Sequence, residues 1–427
     1  MRAEFSTGRP SVLIGHPTGN QNSRNALRSL VEHEMLAEFW TAVAWNPERL
    51  WTRLLPVGMR AQLERRTFTG VPDHQIKTAP WREMVRLGMR ATPLSGMLCS
   101  GERPFSTIGM YRHFDRQVAH RVAELLPNLV YAYEGGGLHT FREAKKRGIT
   151  TIHEQPSSHW HWVRKLFAQE AERNPEFAGL LPTLSDPVSH YEWKDEELRL
   201  ADYVFVPSQH VVRTLAGVVA EEKIRVISYG APQVRPRKQW NQDASVPLKV
   251  LFVGNLGQHK GIGYVLQAID MLGSQVELTM IGRRLRPNPR VDEACRRFRW
   301  HATLPHSGVL DVMQQADVLV LPSLAEGCAL VVLEALASGV PVIITPNTGS
   351  QAFVGEGREG FFVPIGCAEA IAERLETLLH DRQMLVEMSR QAQVTAAENS
   401  WENYRANWAD AVTSVACPAG VETETRR

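Results

Sequence analysis

The chain is short of the features that mark several protein classes. Its five cysteines, Cys99, Cys295, Cys328, Cys367 and Cys417, are scattered and contain no CxxC pair. An odd, dispersed set excludes a disulfide framework or a thiolate cage and points to reduced thiols. No apolar run approaches the roughly 18 residues that a membrane span requires. The opening MRAEFSTGRP lacks the apolar centre of a signal peptide. Charge of one sign is also missing: 48 basic and 46 acidic residues leave a formal +2, so nothing global draws the chain to nucleic acid. The expectation is a cytoplasmic protein, with a peripheral contact to the inner membrane surface left open.

What remains is ordinary for a globular enzyme or binding protein. Of the 427 residues 43% are apolar and 22% charged, and at roughly 150 residues per domain the length admits two or three domains. Short apolar runs recur: SVLIG (11–15), LVYAY (129–133), ITTIH (149–153), YVFVP (203–207), IRVISYG (224–230), KVLFVG (249–254), VELTMIG (276–282), DVLVLP (317–322) and VPVIIT (340–345). Segments of helical period separate most of them, such as NALRSLVEHEML (25–36) and GIGYVLQAIDML (261–272). Strands apolar throughout and alternating with helices imply parallel sheets covered on both faces, a doubly wound α/β architecture.

ADYVFVPS (201–208) and ADVLVLPS (316–323) are near repeats. Each places a serine where a strand gives way to a helix, a favourable N-cap position, and together they suggest two Rossmann-like halves. The expected division is an N-terminal domain over 1–230 with inserts at about 47–120 and 157–200. A polar, proline-bearing linker follows at 231–247, then a second domain at 248–399, a C-terminal helix at 400–417 and a disordered tail at 418–427. Seven of the eleven tryptophans precede residue 200. In the inserts they can form an acceptor site or touch a membrane, and core packing is the commoner use.

The most informative segment is ADVLVLPSLAEGCALVVLEALASGVPVIIT (316–345). It reads as a buried strand, a short loop, a helix from about Cys328 and a further strand after Pro341. A helix N-terminus at the carboxyl end of a parallel strand offers free N–H groups and a positive dipole end to a diphosphate or sugar. Glu326 lies in the loop and Glu334 two turns into the helix, where carboxylates can accept from vicinal hydroxyls. A second segment, KVLFVGNLGQHKGIGYVLQAID (249–270), places Lys260 before a helix, suited to a phosphate.

These segments resemble the E-x7-E and strand-G-R-L-x-x-x-K-G-helix signatures of the retaining GT-B glycosyltransferases, group 1 (family four). The resemblance spans most of the chain and is densest over about 249–345. It implies two Rossmann-like domains facing a central cleft, the first of them the acceptor side, with the C-terminal helix a crossover back to it. It also implies transfer of a sugar from a nucleotide diphosphate sugar, with uridine the expected base, to an acceptor with retained anomeric configuration. The acceptor is a small molecule, a glycan or a lipid-linked group. No metal or other cofactor is implied, and no nucleic-acid partner.

Carried over residue by residue, the resemblance gives Glu326 to the donor sugar, Glu334 to the ribose and Lys260 to the diphosphate. Gly327, Cys328, Ala329 and Leu330 supply backbone at the helix start, where the family usually has Phe-Gly after the first Glu-Gly. Asn255 stands where the family has an arginine, and Arg283 or Arg284 in MIGRR is the expected replacement. His153 is assigned to the sugar near the reacting carbon, with Glu154 as the neighbouring alternative. Gly19 and Asn20, in VLIGHPTGNQNSRNALRSL (12–30), occupy the first strand-loop-helix facing the cleft.

Other features are weaker. YEGGGLHTF (133–141) is either a close backbone approach through Gly135, Gly136 and Gly137 or a plain turn. His153, Glu154, His159 and His161 do not have the HExxH spacing of a zinc site. The arginines at 283, 284, 286, 290, 296, 297 and 299 form either an anion-attracting face or a solvated one. Two other readings stay open: a sugar-nucleotide epimerase of the same fold, and a non-catalytic nucleotide-sugar-binding scaffold.

Overall fold

The computed structural model describes residues 9–46, 63–64, 66–89, 95–182, 187–236, 240, 243 and 245–416. The expected tail at 418–427, Cys417 and parts of the 47–120 insert and the 231–247 linker lie outside them.

The chain begins with β1 (Val12–Gly15), α1 (Gln21–Glu32), β2 (Leu36–Thr41) and β3 (Ile76–Thr78). α2 (Trp81–Met89), a one-turn helix Ser95–Leu98 and α3 (Thr107–Leu125) lead to β4 (Leu129–Tyr133). Then come α4 (Leu138–Lys146), β5 (Thr150–Glu154), α5 (Trp160–Arg173), α6 (Val188–Leu200), β6 (Tyr203–Val206), α7 (Gln209–Thr214) and β7 (Ile224–Val226). These strands form one sheet in the order β3-β2-β1-β4-β5-β6-β7, and all its pairings are parallel.

A second parallel sheet follows. It contains β8 (Leu248–Val253), α8 (Ile262–Leu272), β9 (Val276–Ile281), α9 (Pro289–Arg297), β10 (Arg299–His301) and α10 (His306–Gln315). β11 (Val318–Leu321), α11 (Leu330–Ala337), β12 (Val342–Ile344) and β13 (Gly360–Phe362) complete it. The order is β10-β9-β8-β11-β12-β13. α12 (Ala368–His380), α13 (Arg382–Glu398) and α14 (Trp401–Ala416) close the chain. Central strands such as β4 and β11 are buried at every residue, because helices cover both faces of a parallel sheet. In each sheet the strand order reverses beside the first strand, at β1/β4 and β8/β11. Ligands of doubly wound sheets bind outside the carboxyl ends of strands at such points.

Ser208 caps α7, its hydroxyl accepting from the Val211 N–H at 3.3 Å. Ser323 does not cap a helix, contrary to the sequence expectation. An eight-residue loop separates β11 from α11, which starts at Leu330 rather than near Cys328.

Two devices join the halves. The chain crosses at 231 and 400, where the Ala231 N–H donates to the Asn399 carbonyl at 2.7 Å and the Trp401 N–H to the Ala231 carbonyl at 3.2 Å. α14 then lies against α1 and buries Trp408 wholly, with its ring 5.1 Å from Tyr131. Truncating a tryptophan so placed costs about 3–5 kcal/mol. The second device is the 157–200 segment, which reaches the second half as a brace. Glu170 on α5 accepts from Gln258 Nε2 and from the Tyr264 hydroxyl, both at 2.7 Å. Phe177 is fully buried against Gly263, where an added Cβ would meet its ring at 2.9 Å. Its tryptophans pack inward: Trp160 stacks on Tyr191 at 4.5 Å and Trp162 meets His210 edge-on at 5.0 Å. Among the described residues no helix is long and apolar enough to cross a membrane.

Candidate functional site

The loop between β11 and α11 carries the densest chemistry. Lys260 and Glu326 form an ion pair, and both side chains are half-buried. Ser323 Oγ donates to Glu326 Oε1 at 3.1 Å, so the serine fixes the carboxylate rather than a helix end. The backbone of Glu326 is pinned as well: its N–H donates to the Asn347 carbonyl at 3.0 Å. Its carbonyl accepts from Ser158 Oγ of the first half at 2.8 Å. Ser208 Oγ donates to the Gly327 carbonyl at 2.6 Å. The two halves therefore meet at the residue pair 326–327. Only a glycine fits there, since a Cβ on residue 327 would lie 1.7 Å from the Pro156 carbonyl oxygen.

The start of α11 is partly open. No side chain caps it, but the Ala329 N–H already donates to the Thr348 carbonyl at 2.9 Å. The Val332 N–H donates to the Ala329 carbonyl at 2.9 Å, which leaves the N–H groups of Leu330 and Val331 at the positive end of the helix dipole, where an anion is favoured. Cys328 is buried in the core, and burial pushes its thiol up to about 12, which disfavours the thiolate. Glu334, further along α11, faces His306 at the start of α10 across 2.9 Å. Burial raises the pKa of its carboxyl and the His306 contact opposes that rise.

Asn255 is exposed at the end of β8. Beside it, the Leu256 N–H donates to the Arg283 carbonyl at 2.9 Å. Arg284 is occupied by Asp292 at 2.6 Å and by the face of Trp300 at 5.1 Å. Arg283 is exposed and makes no ion pair or side-chain hydrogen bond among the described residues. Of the two expected replacements, Arg283 is the one whose charge is available.

The first half contributes differently. His153 and Glu154 are neighbours on β5 and so point to opposite faces of the sheet. His153 is wholly buried, with Nε2 3.2 Å from Gln155 Oε1 and Nδ1 unpaired among the described residues. Burial pulls its pKa to about 4, against the pull of Glu134, and it is neutral at pH 7. Glu154 faces the core, where the hydroxyls of Tyr131 and Tyr229 donate to it and burial pushes its pKa to about 7. Glu154 is thus part of the packing. From His153 a chain of contacts runs through Gln155, whose Nε2 donates to the Ser157 carbonyl at 2.9 Å. It continues to Ser158 and the Glu326 carbonyl.

Gly19 and Asn20 are spoken for. The N–H groups of Thr18 and Gly19 donate to His16 Nδ1 at 3.2 and 2.8 Å. Asn20 makes a capping box with Ser23 at the start of α1. The triple glycine is closed from within too: Gly135 N–H and Gly137 N–H donate to the Glu197 carboxyl at 2.7 and 2.8 Å. The first turn of α4 is likewise filled, His139 N–H and Thr140 N–H donating to Asp115 at 2.6 and 3.0 Å. Burial raises Glu197 to about 8 and Asp115 to about 6.

Sequence reasoning missed Ser158, Ser208, His306, Glu134 and Glu197 as partners of these loops. Each comes from a distant part of the chain, and a single Ser, His or Glu carries no local signal. Among the described residues no group of three or more His, Cys, Asp or Glu is placed to hold a metal ion. His159 instead faces Asp195 at 3.1 Å, and the His161 ring lies tilted against Trp160 with centroids 3.7 Å apart.

Residues 247–381 match the family described as Glycosyl transferases group 1. The chain is 39% identical over 108 residues to a D-inositol 3-phosphate glycosyltransferase of Corynebacterium urealyticum, covering 25% of this chain and 26% of the other. It is 29% identical over 237 residues to the sulfoquinovosyl transferase SQD2 of Arabidopsis thaliana, covering 51% and 44%. The chain thus spans between a quarter and a half of the length of these curated relatives. In fold it is similar to a sucrose-phosphate synthase of Thermosynechococcus elongatus, with TM-score 0.66 at 17% identity over 95% of this chain and 99% of the other. It is also similar to Anabaena HepE in complex with UDP, with TM-score 0.62 at 15% identity over 95% and 100%. The match over 247–381 ties the second half of this chain to the group 1 glycosyltransferases, and the fold shared along nearly the whole chain is the GT-B frame of two facing Rossmann-like domains.

Proposed function

We propose that the chain transfers a sugar from a nucleotide diphosphate sugar, UDP-linked, to an acceptor with retention of anomeric configuration. The observation that carries this reading is the Lys260–Glu326 pair at the β8/β11 switch point, beside the uncapped start of α11. A retaining transfer builds negative charge on the departing diphosphate and positive charge on the sugar. In this reading Lys260, the N–H groups at the start of α11 and Arg283 stabilise the first. Glu326, released from Lys260 as the phosphate takes its place, orients the sugar. Neutral His153 supplies a hydrogen bond rather than a charge. Glu334 exchanges its His306 contact for the ribose hydroxyls. The retaining family needs no second carboxylate, because the leaving phosphate can take the acceptor proton on the same face. The seam at 326–327 keeps water from the sugar. The UDP-bound relative in fold supports uridine as the base.

A thermal-shift series with UDP-, GDP-, ADP- and dTDP-sugars tests the donor, because a bound ligand raises apparent stability by mass action. The UDP-sugar is expected to give the largest shift. Lys260→Ala and Glu326→Ala should each slow transfer about a hundredfold to a thousandfold, as loss of a transition-state contact does. Full transfer by both folded variants would overturn the assignment. Incubation with the sugar nucleotide alone separates transfer from epimerisation: an inverted sugar formed without acceptor would favour the epimerase.

A further inference from the structure

A cavity of about 340 Å³ lies between α1, the loop 67–71 and the first turn of α14, away from the β11–α11 loop. That volume lies in the range of small-molecule sites. Arg24, Arg28 and Arg405 line it together with Asn25, Phe68 and Trp401, and no aspartate or glutamate is among the described residues that line it. The arginines are held in different ways. Arg24 lies over the Phe68 ring at 4.7 Å and donates to the Thr67 carbonyl. Arg405 Nε donates to Glu32 at 2.7 Å, and its Nη1 reaches Asn25 at 3.4 Å. Arg28 is exposed and makes no ion pair or hydrogen bond among the described residues. Trp401 Nε1 is buried with no hydrogen-bond partner among the described residues. The free charge of Arg28 and the rings of Phe68 and Trp401 thus border the same cavity. Planar guanidinium forks match phosphate oxygens, and aromatic faces match an apolar body.

We propose that this cavity binds an amphiphilic organic phosphate, its phosphate against Arg24, Arg28 and Arg405 and its flat or alkyl body against Phe68 and Trp401. Inorganic phosphate would satisfy the arginines and leave the rings exposed. A neutral alcohol would cover the rings and leave the exposed Arg28 without an anion. The cavity borders the point where the chain crosses between halves, since Trp401 follows directly on the 231–400 contact. A ligand there touches both α1 and the crossover helix.

The test is calorimetric titration of the full chain with phenyl phosphate, with inorganic phosphate and phenol as controls. Phenyl phosphate should bind at least about tenfold tighter than either part, because both halves of the cavity are then used. Arg28→Glu should weaken it by about tenfold or more and Arg28→Lys should largely restore it, with melting temperatures unchanged. Saturating UDP should leave the affinity as it was. Equal affinity in Arg28→Glu, or displacement by UDP, would overturn the proposal. Vesicles of phosphatidylcholine and phosphatidic acid identify the source of the phosphate: retention lost in Arg28→Glu assigns it to a lipid headgroup, and no retention to a soluble ligand. The readout is direct binding, so it stands or falls separately from the sugar-transfer reading.

Discussion

Four imidazoles, three buried and one half-buried, set the acid behaviour of the molecule. Burial pulls His16 to about 3, and His153, His210 and His259 to about 4. The unfolded chain holds each near 6.5. Between about pH 6.5 and 4 the unfolded state therefore binds more protons, and stability falls as pH drops. A fully shifted group contributes up to about 1.4 kcal/mol per pH unit within its window. Asp115, Glu154 and Glu197 act in the opposite sense. Their raised values favour the protonated folded form, so their contribution is full at low pH and fades as pH rises towards about 6, 7 and 8. His210 is the residue to change, because it sits on the seam with Nε2 2.9 Å from Ser158 Oγ. His210→Gln keeps a polar partner for Ser158 and removes one titrating site. Urea unfolding of both chains from pH 6.5 to 4.5 should give the variant a shallower decline, and the difference cancels the carboxyl contributions. Parallel curves would contradict it.

The loop 322–329 is where a single methyl group decides between closed and open halves. Gly327→Ala puts a Cβ 1.7 Å from the Pro156 oxygen, so the loop must leave the first half or the halves must separate. Either way the Ser158 and Ser208 bonds to residues 326–327 are lost and Glu326 loses its position. Transfer should fall about a hundredfold, as misplacement by an ångström does. Circular dichroism should stay unchanged, because neither sheet is touched. Retained transfer would mean that the seam does not position the site. The elements around this loop differed in how far the sequence revealed them. β1, β4, β8 and β11 read clearly because strands buried on both faces are apolar throughout. β2, β3, β10 and β13 did not. Leu36–Thr41 continues the apolar spacing of α1, and Arg299–His301 is a polar edge strand. Lys260 before α8 and Glu326 and Glu334 around α11 were legible because each sits at a fixed offset within its own strand-loop-helix unit. Ser158, Ser208 and His306 were not, since their roles exist only once distant loops meet. Gly19 and Asn20 were legible as a loop, but not as one whose amides and side chain serve His16 and the α1 cap.

One hydrophobic cluster runs through both halves of the molecule, including Leu27, Tyr131 and Phe177 on one side and Leu251, Tyr264 and Leu333 on the other. The brace from α5 and the crossover helix add polar contacts at two separate places. Halves coupled this way should unfold together, so scanning calorimetry is expected to give a single transition with equal calorimetric and van't Hoff enthalpies. Two resolved transitions would show that the seam is energetically weak. Glu170→Ala leaves Gln258 and Tyr264 without their shared acceptor and should lower stability by about 1–3 kcal/mol. The same brace limits how this chain can diverge by recombination. Phe177 of the first half requires the absence of a side chain at position 263 of the second. A hybrid that takes its second half from a relative with any other residue there would bring a side chain into the space Phe177 fills. A crossover between the two halves is therefore expected to fold only where the incoming second half also has glycine at that position.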